Sequence, residues 1–156
     1  MAYKKIKALV IGGSGFLGSH VADELLLRGY KVSIYDQKKS KWKKEEQTFY
    51  LGKLNNEKKL NKLIKNSDIV YNFAGIADLN EGSKKPLESI NQNIYATAKI
   101  VESCIKYKIK RFIYSSTIYV YSNKGSFYKC SKQAAENYIE EYSKQSNLKF
   151  TILRFG

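Results

Sequence analysis

Three glycines at G-x-x-G-x-x-G spacing close an apolar run near the start of the chain, where Ile6-Lys7-Ala8-Leu9-Val10-Ile11 leads into Gly12-Gly13-Ser14-Gly15-Phe16-Leu17-Gly18. The run reads as a strand and the residues after it as a helix, so the glycines occupy a strand-to-helix turn. That spacing suits a tight turn, close backbone approach to a pyrophosphate and close packing of helix on strand. Free N–H groups and the positive end of the helix dipole favour phosphate at such a position. Asp36 closes the next apolar segment, Val32-Ser33-Ile34-Tyr35. It falls about 20 residues after the glycines, where a ribose-binding carboxylate belongs. Together, turn and carboxylate point to a dinucleotide on the helix N-terminus.

The pattern continues as an alternation. The first strand covers about 6–11 and a helix about 16–28, with Val21, Ala22, Leu25 and Leu26 spaced for one buried face before Gly29 ends it. A second strand covers about 31–35 and a polar loop 37–47. Thr48-Phe49-Tyr50-Leu51 is a short third strand, Leu60, Leu63 and Ile64 mark a short helix, and 68–74 reads as a buried fourth strand. Pro86 opens a long helix at a first-turn position, where its missing N–H is harmless. Leu87, Ile90, Ile94, Thr97, Val101 and Ile105 step along that helix by three or four. A fifth strand over 111–115, a helix carrying Ala134, Ala135, Tyr138, Ile139 and Tyr142 to about 145, and a last strand over 150–154 complete six strands. Strands that alternate with helices predict an α/β fold, a doubly wound parallel sheet with helices on both faces.

The 156 residues suffice for one domain, and 43% apolar content supports a core. No apolar run approaches the roughly 20 residues of a membrane span, and the lysine-interrupted start does not suit a signal peptide. A cytoplasmic protein with no membrane partner is the expectation. Cys104 and Cys130 stand far apart in a chain with one histidine, His20, so neither a metal site nor a disulfide framework is indicated. The formal charge of +14 invites a nucleic-acid reading. Yet 25 of the 28 basic residues are lysines spread along the chain, and only Arg28, Arg111 and Arg154 could make bidentate contacts. A solvated lysine surface that attracts anionic ligands is the better account, with no specific nucleic-acid partner.

Further stretches join the glycine turn and Tyr35-Asp36: Asn72-Phe73-Ala74-Gly75, Lys85-Pro86-Leu87-Glu88, Asn91-Gln92-Asn93 with Thr97, Arg111 to Thr117, Tyr128-Lys129-Cys130-Ser131-Lys132, and Leu153-Arg154-Phe155-Gly156. In this order the chain resembles the cofactor-binding part of the extended short-chain dehydrogenase/reductase family, which includes NAD-dependent sugar-nucleotide epimerases and dehydratases. The resemblance implies a Rossmann-type sheet over residues 1–156, a nucleotide-sugar substrate and, through helices matching those at Pro86 and Tyr128, a homodimer. It also implies roles. Tyr128 matches the acid–base tyrosine, Lys132 the lysine that favours its phenolate and holds the ribose, and Thr117 the hydroxyl beside them. An ordinary tyrosine pKa near 10 is too high for a base at neutral pH, so a positive neighbour is required. Gly12, Gly15, Phe16, Leu17, Gly18, Asp36, Leu54, Phe73, Ala74, Gly75, Gln92 and Ser115 match cofactor-binding positions, with Tyr128 and Lys132. Asp36 would repel a 2′-phosphate and so favours NAD over NADP, although Lys38 and Lys39 stand close.

The Y-x-x-x-K spacing alone recurs at Tyr3/Lys7, Tyr35/Lys39 and Tyr95/Lys99. Placement after Ser115-Ser116-Thr117 singles out Tyr128/Lys132. Four departures from the family pattern stand out. Lys53 replaces an acidic residue that contacts adenine, Ala77 replaces a basic residue, and the Thr117–Tyr128 segment is short. The chain also stops at Gly156, where family members continue into a substrate-binding portion. Two readings stay open: part of an epimerase- or dehydratase-like enzyme, and a dinucleotide-binding module without a complete substrate site.

Overall fold

The computed structural model describes residues 5–156, the side chains of 79–81 excepted. Strands β1 (Lys7–Ile11), β2 (Lys31–Asp36), β3 (Thr48–Leu51), β4 (Ile69–Asn72), β5 (Arg111–Thr117) and β6 (Phe150–Phe155) form one sheet. Their order is β3-β2-β1-β4-β5-β6, and each pairing is parallel. The strand order reverses between β1 and β4, and ligands bind outside the carboxyl ends of the strands at such a switch. This is the Rossmann-type doubly wound sheet that the alternation predicts.

Around it lie α1 (Phe16–Leu27), α2 (Glu57–Lys65), α3 (Leu79–Lys84), α4 (Pro86–Ser89), α5 (Ala96–Lys106) and α6 (Ser126–Lys144). A π-helical turn, Ile90–Tyr95, joins α4 to α5, and a 3₁₀ turn, Ile118–Tyr121, follows β5. Successive β1 residues point to opposite faces. Leu9 and Ile11 therefore enter a core with Ile64, Val101, Phe112, Ala135 and Ile139, which brings in α2, α5 and α6. Ala8 and Val10 pack with Ala22, Leu25, Val32 and Ile34 beneath α1.

Four elements differ from the sequence reading, the first being α3, which that reading does not include. The fourth strand ends at Asn72, not 74, because the Asn72 side chain accepts the Ala74 N–H at 3.2 Å and turns the chain out of the ladder. The long helix after Pro86 contains the π turn, which adds a residue to the repeat and rotates the upstream face. Leu87 and Ile90 consequently face solvent, and Ser89 and Asn93 are buried in their stead. On α6 the buried face runs through Tyr128, Ser131, Lys132, Ala135, Glu136 and Ile139, while Tyr138 points outward. Apolar spacing found Ala135 and Ile139 on this face but put Tyr138 beside them, because half of the face is polar.

Candidate functional site

The glycine turn is built by close contact. Gly12 adopts φ +78°, and a Cβ there would stand 2.5 Å from the Ala74 nitrogen, so β1 and the exit of β4 meet backbone to backbone. A Cβ on Gly18 would lie 2.3 Å from the Gly12 carbonyl oxygen, which fixes α1 against the turn. Gly15 caps α1 without a side-chain acceptor, so the first-turn N–H groups face the cleft unclaimed by any side chain. Ser14 Oγ is buried there without a hydrogen-bond partner among the described residues. Phe16 and Leu17 flank this opening.

From the turn the cleft extends to Asp36. Both carboxylate oxygens are held: Oδ2 accepts the Ser14 N–H at 3.0 Å and Oδ1 the Lys38 N–H at 3.1 Å. Beyond it, the Tyr35 hydroxyl donates to the Lys53 carbonyl at 2.7 Å. A Cβ on Gly52 would come within 2.3 Å of that hydroxyl, which sets the path of Gly52-Lys53-Leu54 along the wall.

The opposite end gathers Thr117, Tyr128, Lys132 and Ser115 with Phe73, Ala74, Gly75 and Gln92. The whole cleft has a volume of about 1030 Å³ and receives every residue that the sequence reading assigned to cofactor or chemistry. Lys132 is 4% exposed; its ammonium donates to the Ser115 carbonyl at 2.9 Å and lies 4.8 Å from the Tyr114 ring centroid and 5.9 Å from that of Tyr128. Burial pulls its pKa down to about 8, against the opposing pull of Glu136. Tyr128 is also buried, and burial raises its pKa above the ordinary value while the Thr117 hydroxyl beside it lowers it and Tyr119 raises it. The depressed tyrosine expected from Lys132 is thus not what this geometry gives: the ammonium is turned to Ser115, and desolvation of the phenol dominates.

Asn93, absent from the sequence reading as a site residue, holds this end together. Its Oδ1 accepts the Ile76 N–H at 2.8 Å, and its Nδ2 donates to the Ile76 carbonyl at 3.0 Å and to Ser131 Oγ at 2.8 Å. Ser131 donates in turn to the Tyr128 carbonyl at 2.8 Å. One buried amide therefore links the turn after β4 to the helix that carries Tyr128. It also explains Gly75, at φ +137°, where a Cβ would meet Asn93 Oδ1 at 2.3 Å. The clue in the sequence was an amide among the apolar spacings of the Pro86 helix, visible only once the π turn is known.

In chemical terms the cleft offers backbone donors at a helix N-terminus for a diphosphate, a fixed carboxylate for a ribose diol, and a phenol, a hydroxyl and an ammonium at the far end. A model of the NAD dependent epimerase/dehydratase family matches residues 8–156. The chain belongs to this family. A UDP-glucose 4-epimerase of Klebsiella pneumoniae is 34% identical over 130 residues, covering 76% of this chain and 94% of that sequence. A UDP-N-acetyl-alpha-D-glucosaminuronate decarboxylase of Bacillus cytotoxicus is 34% identical over 124 residues, covering 75% of this chain and 38% of the relative. Among solved structures, UDP-glucose 4-epimerase of Thermotoga maritima with UDP-glucose superposes with a TM-score of 0.88 at 28% identity, over 96% of this chain and 55% of that one. The UDP-glucose 4-epimerase of Thermus thermophilus in complex with NAD gives 0.89 at 25% identity, over 97% and 55%. The chain thus spans little more than half of these structures and just over a third of the decarboxylase.

Proposed function

We propose that the cleft binds NAD and that Tyr128, Thr117 and Lys132 serve proton transfer on a nucleotide-linked sugar, as part of an epimerase- or dehydratase-like enzyme. The observation that carries this reading is one continuous cleft joining a glycine-built diphosphate seat to a buried phenol, hydroxyl and ammonium. Two features fit a dinucleotide: the first-turn N–H groups of α1 that no side chain caps, and the buried Ser14 and Ser116 hydroxyls without partners among the described residues. Gly12, Gly15, Phe16, Leu17 and Gly18 hold the diphosphate end, Asp36 and Leu54 the adenosine, and Phe73, Ala74, Gly75, Gln92 and Ser115 the nicotinamide end. When bound, NAD supplies a reversible hydride acceptor. Thr117 orients a sugar hydroxyl toward Tyr128 and Tyr128 exchanges its proton. The positive charge of Lys132 favours the phenolate once ligand draws the ammonium from Ser115. The family's substrate-binding portion lies outside residues 1–156, and its sugar contacts with it; a homodimer in the cytoplasm completes the proposal.

Thermal unfolding tests the cofactor half. NAD at a hundred times its dissociation constant stabilises the fold by about 2.7 kcal/mol. Asp36→Ala removes most of that stabilisation, and NADP gives less than NAD. Equal response of the chain and the Asp36→Ala variant, or none in either, overturns the assignment.

A further inference from the structure

Helix α6 carries a buried carboxylate that the proton transfer above leaves unused. Glu136 lies one turn beyond Lys132 and is 5% exposed. Arg154 grips it from β6: Nε reaches the two carboxylate oxygens at 3.1 and 3.2 Å, and a terminal nitrogen donates to Oε2 at 2.7 Å. The guanidinium itself is held over the Tyr121 ring, 4.8 Å from its centroid, and its other terminal nitrogen donates to the Tyr121 hydroxyl. The pair thereby ties β6, α6 and the 3₁₀ turn that follows Thr117.

A lysine and a glutamate four residues apart on one helix face are neighbours and ordinarily pair. Here they do not. Among the described residues no ion pair joins Lys132 to Glu136; the carboxylate is taken by Arg154 and the ammonium by the Ser115 carbonyl. We propose that Arg154 is a positioning residue for Lys132: by holding Glu136 from β6 it keeps the carboxylate from capturing the ammonium, which stays at the cleft wall beside Tyr128. The purpose of this device rests on the reading of Tyr128 and Lys132 as the working pair, but its existence does not.

The groups that face Lys132 are few. From α6 come Tyr128 and Glu136, and from β5 the ring of Tyr114. Arg154 on β6 acts through Glu136, Tyr121 and Glu140 act on Arg154, and Tyr119 acts on Tyr128. The tyrosines are neutral at neutral pH, so Glu136 is the anion that bears directly on Lys132. Two substitutions then push the lysine in opposite directions. Glu136→Gln removes the anion and lowers the Lys132 titration midpoint. Arg154→Gln frees the anion to pair with the ammonium and raises it.

The test is a ¹³Cε titration of labelled lysine in the cofactor-free chain, with the Lys132 signal assigned by its loss in Lys132→Met. A shift on the order of one pH unit is expected in each direction. If Arg154→Gln does not fold, Arg154→Lys keeps a cation but cannot hold both oxygens, and gives a smaller rise. A merely structural tie lowers the melting temperature of both variants without opposite titration shifts. Unchanged midpoints, or two shifts of the same sign, overturn the proposal. Because no cofactor is present, failure of the NAD reading leaves this outcome unaffected.

Discussion

The two ends of the cleft are built from different materials. At the β1–β2–β3 end the site is backbone: glycines that let strand, turn and helix touch, and one carboxylate fixed by two N–H groups. At the β4–β5–β6 end it is side chain. Among the described residues, the buried polar ones apart from Gln47 belong to this end, from Asn72, Asn93 and Thr97 through Ser115-Ser116-Thr117 to Ser131, Lys132 and Glu136. A backbone site binds a group common to many ligands and needs only the right absences of side chain. A side-chain site must satisfy each buried polar group, and in return it places protons and charge.

The comparison breaks most severely at Gly12. Gly12→Ala puts a Cβ within 2.5 Å of the Ala74 nitrogen on a backbone at φ +78°. Strain and overpacking together cost about 4 kcal/mol. Denaturant unfolding should show that loss, and cofactor stabilisation should vanish with it. A cost below about 1 kcal/mol would mean that the turn relaxes freely and that its close packing is not what shapes the seat.

The same division explains what could be read in the sequence. Gly12, Gly15, Gly18 and Asp36 announce themselves because their spacing is set by local geometry, and six strands follow from apolar runs between turns. The side-chain end was legible only in part. Tyr128, Lys132 and Thr117 came from family resemblance, and the structure brings them together. Asn93 and Ser131 stood in matching stretches without a role and Glu136 stayed hidden, because their partners lie on other elements; for Asn93 a π turn also shifts the helical repeat that a 3.6-residue period assumes. The same shift left Leu87 and Ile90 exposed where spacing buried them.

A smaller effect sharpens the contrast through pH. The Lys132 midpoint is about 8 in the fold against an ordinary 10.5. Below about 8 the ammonium is charged in folded and unfolded chain alike, and the full burial penalty is present. Between the two values the unfolded chain binds more protons, so stability contributed at this site rises with pH. Compared with Lys132→Met, which has no such proton, the chain should gain about 2 kcal/mol between pH 8 and 10 in paired unfolding curves. A flat difference for Lys132→Met would place the ammonium in contact with solvent and remove the buried charge on which the side-chain end depends.

The smallest effect lies at the backbone end. Lys53 follows Gly52 on the cleft wall, with its carbonyl fixed by Tyr35, at a position where the resemblance implies an acidic contact to adenine. Its backbone is therefore in place for a contact that its side chain cannot accept. Lys53→Asp supplies the acceptor, and one added hydrogen bond of about 1 kcal/mol should tighten NAD roughly fivefold by calorimetry. Lys53→Ala separates the two contributions, since it removes the positive charge without adding an acceptor. If both variants bind NAD equally, the gain comes from charge alone and adenine does not reach this wall. If only the aspartate helps, the backbone end retains the geometry of a full adenine site, and Lys53 is a change of side chain laid over an intact frame.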